Sequence, residues 1–309
     1  MKDSNENEWV WVEVPKTIYT TAAYLTDATT PTSNTDYTNI EKIMQNYASD
    51  YRNSDYSDTW YSEEQHGFIS EEAYNTAKNS MLKSVYDNGG FWIGRYEAGD
   101  ATATASNTTR TPSTGTTNTA VIKANQIPYN FVTCKQAQTL SKGLSTGGKT
   151  SSLMFGIQWD LTCKFLEEKS DLTLADIKTD STKWGNYCNI SLTLSRGKYN
   201  TSPGSSSSIW TLFSTDITNY VRNKQTNSNT SYYQLLTTGT SEDTNKMNIY
   251  DFAGNEYEWT LEYTSSSSYP CANRGGCYNN LGSNYSASNH YYGSNSDSSN
   301  GLGFRSSLY

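Results

Sequence analysis

Tyr250-Asp251-Phe252-Ala253-Gly254-Asn255-Glu256-Tyr257-Glu258-Trp259-Thr260, followed by Arg274-Gly275-Gly276 and a closing Gly303-Phe304-Arg305, is the wording on which the fold turns. Between the second and third of these words lie residues 278–300, which hold six Asn, seven Ser, four Tyr, one His and one Asp. Those nineteen of twenty-three positions come from one small polar and aromatic set. A fixed frame around such an insert is the layout of a binding surface.

Each part of the frame has a plain physical reading. Tyr257 and Trp259 alternate with Glu256 and Glu258, so a short strand would carry aromatics on one face and carboxylates on the other. Gly254 and Gly275-Gly276 suit turns or close backbone approach. Arg305 is suited to neutralise a buried carboxylate such as Glu258 through a two-pronged contact.

Upstream, Trp9 to Val14 alternates large apolar groups as an opening strand stopped by Pro15. Thr38 with Glu41 reads as a capping box for a helix whose buried face is Ile40, Ile43, Met44 and Tyr47. Ser70 caps a second helix with Ala73, Ala77, Met81, Leu82 and Val85 inward, ended by Gly89-Gly90. Phe91 to Glu97 reads as a buried strand, Thr133 with Gln136 as the cap of a short helix over Ala137 and Leu140, and Gly156 to Lys169 as a helix because Ile157, Leu161 and Phe165 recur every four residues. The Thr/Ser-rich stretch at about 100–120 has little to bury and is expected as a surface loop; Ser202 to Ser208 and 224–231 also read as loops. A few amphipathic helices with many short strands predict an α+β chain, and no linker divides residues 1–309 into two cores.

Composition narrows the function. Hydrophobic residues make up only 34%, so 25 Tyr and 8 Trp must supply much of the core. The net charge of -8, with no Lys/Arg block, argues against nucleic acid as a partner. No apolar run approaches the roughly 20 residues that cross a bilayer, and Met1 to Glu8 lacks the apolar stretch of a signal peptide, so neither membrane insertion nor general secretory export is expected. The five cysteines, Cys134, Cys163, Cys188, Cys271 and Cys277, have no zinc-like spacing. They read as buried thiols, with a Cys271–Cys277 bond across a turn left open.

The words Asp251 to Thr260, Arg274-Gly275-Gly276 and Gly303-Phe304-Arg305 resemble the closing motifs of the formylglycine-generating enzyme (sulfatase-modifying factor) family. The opening strand, Gly94-Arg95-Tyr96-Glu97 and Pro128 to Leu140 fall in the matching order, so the resemblance spans nearly the whole chain, with most specificity in the last sixty residues. It implies one domain with a variant of the C-type-lectin fold. It also implies a structural calcium, held at the positions matching Asp251, the carbonyls of Gly254 and Glu256, and the carboxylate of Glu258; oxygen ligands on a tight turn suit that cation. No other cofactor is required.

The family's oxidases use two closely spaced cysteines after the RGG word, whereas Cys277 is followed by no second thiol. His66 and His290 are the only histidines, too few for an iron site, and neither sits in a recognisable nucleophile context for a Ser/His/Asp arrangement. A formylglycine-generating-type oxidoreductase is therefore the alternative reading, and a non-catalytic binding protein the leading one, with no catalytic residue assigned.

The insert carries a genetic logic as well. From an AAY asparagine codon, single adenine changes give Tyr, His, Asp or Ser, and changing both gives Gly or Cys, so adenine-directed mutagenesis of an Asn-rich template would write this tract. A hypervariable C-terminal tract, 277–300 here, inside a C-type-lectin fold resembles the variable proteins of diversity-generating retroelements, found on phage tail tips and bacterial surfaces. The residues expected to touch a protein or glycan receptor on a host or neighbouring cell are Tyr278, Asn279, Asn280, Asn284, Tyr285, Asn289, His290, Tyr291, Tyr292, Asn295 and Asp297, all with exposed side chains. A virion or cell-surface location follows from that resemblance.

Overall fold

A computed structural model describes residues 1–19, 31–103, 119–194, 196–200, 203, 210–212, 220–221 and 234–309. Most of the Thr/Ser-rich stretch, and the loops expected at 205–208 and 224–231, lie outside them. The ends of the Thr/Ser-rich stretch are tied together, because Gly99–Asp100 pairs antiparallel with Ala120–Val121.

Among the described residues the chain forms six α-helices and several small sheets. The helices are α1 (Asn34–Tyr47), α2 (Glu63–His66), α3 (Glu71–Asn88), α4 (Cys134–Lys142), α5 (Gly156–Lys169) and α6 (Leu174–Lys178). Two sheets organise the core. Their strands are β1 (Trp9–Glu13), β2 (Tyr56–Ser57), β3 (Gly90–Gly94), β4 (Ser151–Leu153), β5 (Tyr257–Thr264), β6 (Cys271–Arg274), β7 (His290–Gly293), β8 (Leu302–Phe304) and β9 (Ser306–Leu308).

The first sheet runs β1-β3-β9-β4, antiparallel throughout. The second runs β7-β6-β5-β8, with β2 paired to the far end of β5; its one parallel pair is β5 with β8. Only Arg305 separates β8 from β9, so this buried residue is the joint between the two sheets.

Most helix ends follow from local chemistry. Ser70 Oγ accepts from Ala73 N at 3.2 Å, and Gly89, at φ 76°, closes α3 with its N–H on Val85 O. Thr133 and Gln136 form the expected reciprocal cap on α4. The cap expected at Thr38 is corrected: α1 starts a turn earlier, boxed by Ser33 and Asp36, while Thr38 donates its hydroxyl to Asn34 O inside the helix. The inward face of α1 is as expected, with Ile40, Ile43 and Met44 buried.

Helix α5 has the expected bounds but not a one-sided stripe: Trp159, Asp160, Thr162 and Cys163 are buried along with Ile157, Leu161 and Phe165. It passes through the middle of the molecule, and its Trp159 ring stacks on Phe252 of the frame at 4.1 Å. Asp58 caps its start, accepting from Gly156 N at 2.6 Å and Ile157 N at 2.9 Å, where the exposed amides of a helix N-terminus favour a carboxylate. No described helix is long and apolar enough to cross a membrane.

Candidate binding edge

The frame folds as a tight turn feeding β5. Asp251, Gly254 and Asn255 all take positive φ. A Cβ on Gly254 would stand 2.4 Å from Asn186 O, so the residue must be glycine for the two backbones to meet. Asn255 is the turn's anchor: its Oδ1 accepts from Asn186 Nδ2 and Leu236 N, its Nδ2 donates to Glu97, and its carbonyl accepts from Tyr278 N at 3.0 Å. That last bond ties the start of the Asn/Ser/Tyr tract directly to the frame.

Two carboxylates of this turn, Asp251 and Glu258, are bonded to protein donors. Asp251 accepts from Gly239 N at 2.7 Å and Thr244 Oγ1 at 2.8 Å. Glu258 meets the Arg305 Nε at 3.1 and 3.0 Å and Nη2 at 2.7 Å, the two-pronged contact expected from the sequence. Burial pushes Glu258 up to about 7 against the pull of Arg305. Of the four positions expected to hold calcium, the two that would offer carboxylates, Asp251 and Glu258, are thus bonded to protein donors. Among the described residues no group of three or more His, Cys, Asp and Glu could hold a metal ion.

The expected division of β5 into an aromatic and an acidic face is sharper than sequence alone implied, because both faces are buried. On the acidic face lies an ion cluster under the outer strand. Arg274 Nη1 lies 3.0 and 3.1 Å from the Glu262 oxygens and donates to His290 Nε2, while its Nη2 lies 2.6 Å from Asp160 Oδ1. Burial opposes charge on Glu262, yet the Arg274 guanidinium holds its carboxyl well below the usual carboxylate range. Burial, with Arg274 adding to it, lowers His290 to about 4. The histidine is therefore a neutral acceptor for Arg274 at neutral pH.

The tract itself divides into three. Its start is inside: Cys277 and Tyr278 are buried, and the Cys277 Sγ donates to Asn279 Oδ1 at 2.9 Å. Its middle is a plug: Ser286, Ala287 and Ser288 are buried against α5 and α6, with Ser286 Oγ on Lys178 O, Ala287 N on Ser181 Oγ and Trp159 Nε1 on Ala287 O. Most of the remainder is surface. Asn279, Asn284, Tyr291, Tyr292, Asn295 and Asp297 are exposed, and Asn280, Tyr285 and Asn289 half-buried.

Two of the eleven expected contact residues are thus corrected for exposure. Tyr278 is only 3% exposed, packed with Ile127, Trp210, Leu235 and Tyr257 in a small apolar cluster. The His290 side chain is only 6% exposed, drawn inward by Arg274 and Glu262. Two more serve the backbone: Asn280 Oδ1 accepts from Cys277 N, and Asp297 accepts from Ser294 N and Oγ, shaping the turn after β7.

Strand β7 is the outer edge of the second sheet, and tyrosines chain along it. Tyr291 stacks on Tyr257 at 5.5 Å and on Tyr292 at 5.0 Å, meets Tyr285 edge-on at 5.7 Å, and Tyr292 leans on Tyr269 at 5.3 Å. Tyr269 and Tyr292 are each 48% exposed and Tyr291 38%. Rings that stack are held in place by one another, so they present contact area without flexing. Sequence reasoning missed Tyr269, which lies outside the tract; its isolation after Ser265 to Ser268 was the available signal. Tyr257, read only as a strand aromatic, is the buried floor of the row.

In known proteins, the chain is similar in structure to Treponema denticola variable protein 1, with 13% identity over 71% of this chain and 84% of that one and a TM-score of 0.35. No family model and no curated protein matches it in sequence.

Proposed function

We propose that this chain is a non-catalytic ligand-binding display protein with a C-type-lectin fold of the formylglycine-generating-enzyme type, of the kind that diversity-generating retroelements vary. It grips a protein or glycan receptor of a host or neighbouring cell from a phage tail or a bacterial surface. The observation that carries this reading is the row Tyr285, Tyr257, Tyr291, Tyr292 and Tyr269, joined ring to ring around the outer strand β7, which carries Tyr291 and Tyr292. The frame below is fixed by Arg274, Asn255 and Arg305, and the polar turns beside the row, at 279–284 and 294–297, supply adaptable hydrogen bonds.

The contact set is narrower than composition implied: Asn279, Asn284, Tyr285, Asn289, Tyr291, Tyr292, Asn295 and Asp297, joined by Tyr269. Oxidase chemistry at Cys277 would need its thiolate, and burial pushes that thiol up to about 12. Sequencing the gene in sibling strains tests the reading. Substitutions gathered at the exposed tract positions, sparing Ser286 to Ser288, are expected; an even spread over the chain would sink it.

A further inference from the structure

A cleft of about 490 Å³ opens on the first sheet, away from the tyrosine row, with Lys2, Glu8, Trp11, Trp92, Arg95 and Asn248 in its lining. Strands β1 and β3 turn Val12, Phe91 and Ile93 into the core, where all three are fully buried. Side chains alternate along a strand, so Trp11 and Trp92, paired across the β1–β3 ladder, lie together on the other face. Their rings meet edge-on at 5.1 Å, and both indoles are half-buried.

The polar groups around them are held in place. Arg95 Nη1 donates to Glu8 Oε2 at 2.9 Å, and its guanidinium lies 5.6 Å from the Tyr96 ring centre and 5.4 Å from that of Tyr250. Lys2 is paired with Glu6 at 3.1 Å. Asn248 sits at the tip of a two-residue turn: Lys246 N donates to Ile249 O at 2.9 Å and Ile249 N to Lys246 O at 2.8 Å, with Met247 and Asn248 at φ 52° and 67°. The turn presents Asn248 to solvent, and no protein group among the described residues takes its amide.

This mixture selects a ligand class. A purely apolar guest would strip water from the Glu8–Arg95 pair and the Asn248 amide and give no hydrogen bond back. An anion would find both cations already paired, Arg95 with Glu8 and Lys2 with Glu6. A neutral sugar answers both conditions, because its C–H face suits an indole and its hydroxyls both donate and accept at the rim. The cleft also falls within the roughly 300–1,000 Å³ usual for small-molecule sites.

We propose that this cleft is a second binding site, which takes a neutral mono- or disaccharide. The sugar ring lies against the Trp11 and Trp92 indoles, and its hydroxyls bond Glu8, Arg95 and Asn248. The site does not rest on the tyrosine-row reading; cell attachment by that row is a separate measurement, so either reading can fail without the other.

The test titrates the full chain with glucose, galactose, mannose, N-acetylglucosamine, maltose, cellobiose and lactose at millimolar concentration. Saturation-transfer NMR on the sugar and tryptophan emission from the protein are read together. At least one sugar should give saturable transfer with a matching emission change. Trp11→Ala should weaken that binding about tenfold or more, and Asn248→Ala, at an exposed turn where folding is not at stake, about fivefold. Silence across all seven sugars would overturn the site. Binding that survives both substitutions would place the sugar elsewhere and overturn it too, and tighter binding of galacturonate than of galactose would overturn the neutral class.

Discussion

Arg305 closes on Glu258 with its Nη2 2.7 Å from Oε1 and its Nε within 3.1 Å of both carboxylate oxygens, and the same guanidinium donates to Gly94 O and Tyr250 O. One side chain thus joins β3, β5 and the turn before β5 at the point where the chain passes from one sheet to the other. Both partners are fully buried. Breaking such a pair strands a charge and costs about 3–5 kcal/mol. Arg305→Met should lose at least that much in urea unfolding, and Arg305→Lys should recover little, since an ammonium cannot reach carboxylate and both carbonyls together. A loss near zero for the methionine variant would mean the sheets are joined by packing alone.

The tyrosine row separates binding from stability. Tyr291 and Tyr292 sit on an edge with much of each ring in water, so Tyr291→Ala with Tyr292→Ala should cost only about 1–2 kcal/mol in folding, the worth of a few ring contacts. Attachment to the recognised cell should fall more than tenfold. Cell-binding assays beside a thermal melt check this, and intact attachment by the folded double variant would remove the row from the site.

Gly276 links the frame to the row. It holds φ at 72°, and a Cβ there would stand 2.4 Å from Tyr285 O and 2.9 Å from the Tyr187 ring. Gly276→Ala therefore meets both backbone strain and a clash with main chain, and should cost about 2 kcal/mol or more. Because the clash falls on Tyr285, binding should weaken even in the population that folds. Denaturant curves and attachment measured on the same preparation distinguish the two losses.

The frame was legible because it uses residues with few substitutes. Arg305 beside a buried Glu, glycines at forced backbone angles and the caps at Ser70 and Thr133 each have one physical use, and each appears where its pattern placed it. Helix α1 was misplaced by a turn because Thr38 with Glu41 and Ser33 with Asp36 spell the same cap. Inside the tract, composition could not sort buried from exposed. Ser286 and Ser288 have side chains small enough to enter the core, and Ser286 bonds a helix carbonyl there, while Tyr278 buries a ring that looks, in sequence, like those of Tyr291 and Tyr292. His290 was drawn inward by Arg274, a residue sixteen positions away whose neighbour is fixed only by strand register. Such sorting depends on which partner a strand acquires, and the chain alone does not state that.

His66 offers a clean pH probe away from the binding edge. It ends α2 with its ring fully buried, 5.0 Å from Tyr74, and burial lowers its pKa from 6.5 to about 3. Below 6.5 the unfolded chain gains a proton that the folded ring refuses. The stability tied to His66 is therefore complete above 6.5 and lost as pH falls toward 3. Over the roughly 2.5 units down to pH ~4 the loss is about 3 kcal/mol. His66→Phe keeps an aromatic ring against Tyr74 and cannot take up the proton. Other titrating groups, such as His290 and Asp160, are common to both proteins and cancel in the difference. Urea unfolding at neutral pH and near pH ~4 should show the variant gaining about 3 kcal/mol on the wild type as the solution is acidified. A difference that stays constant with pH would mean that the ring is hydrated and titrates freely.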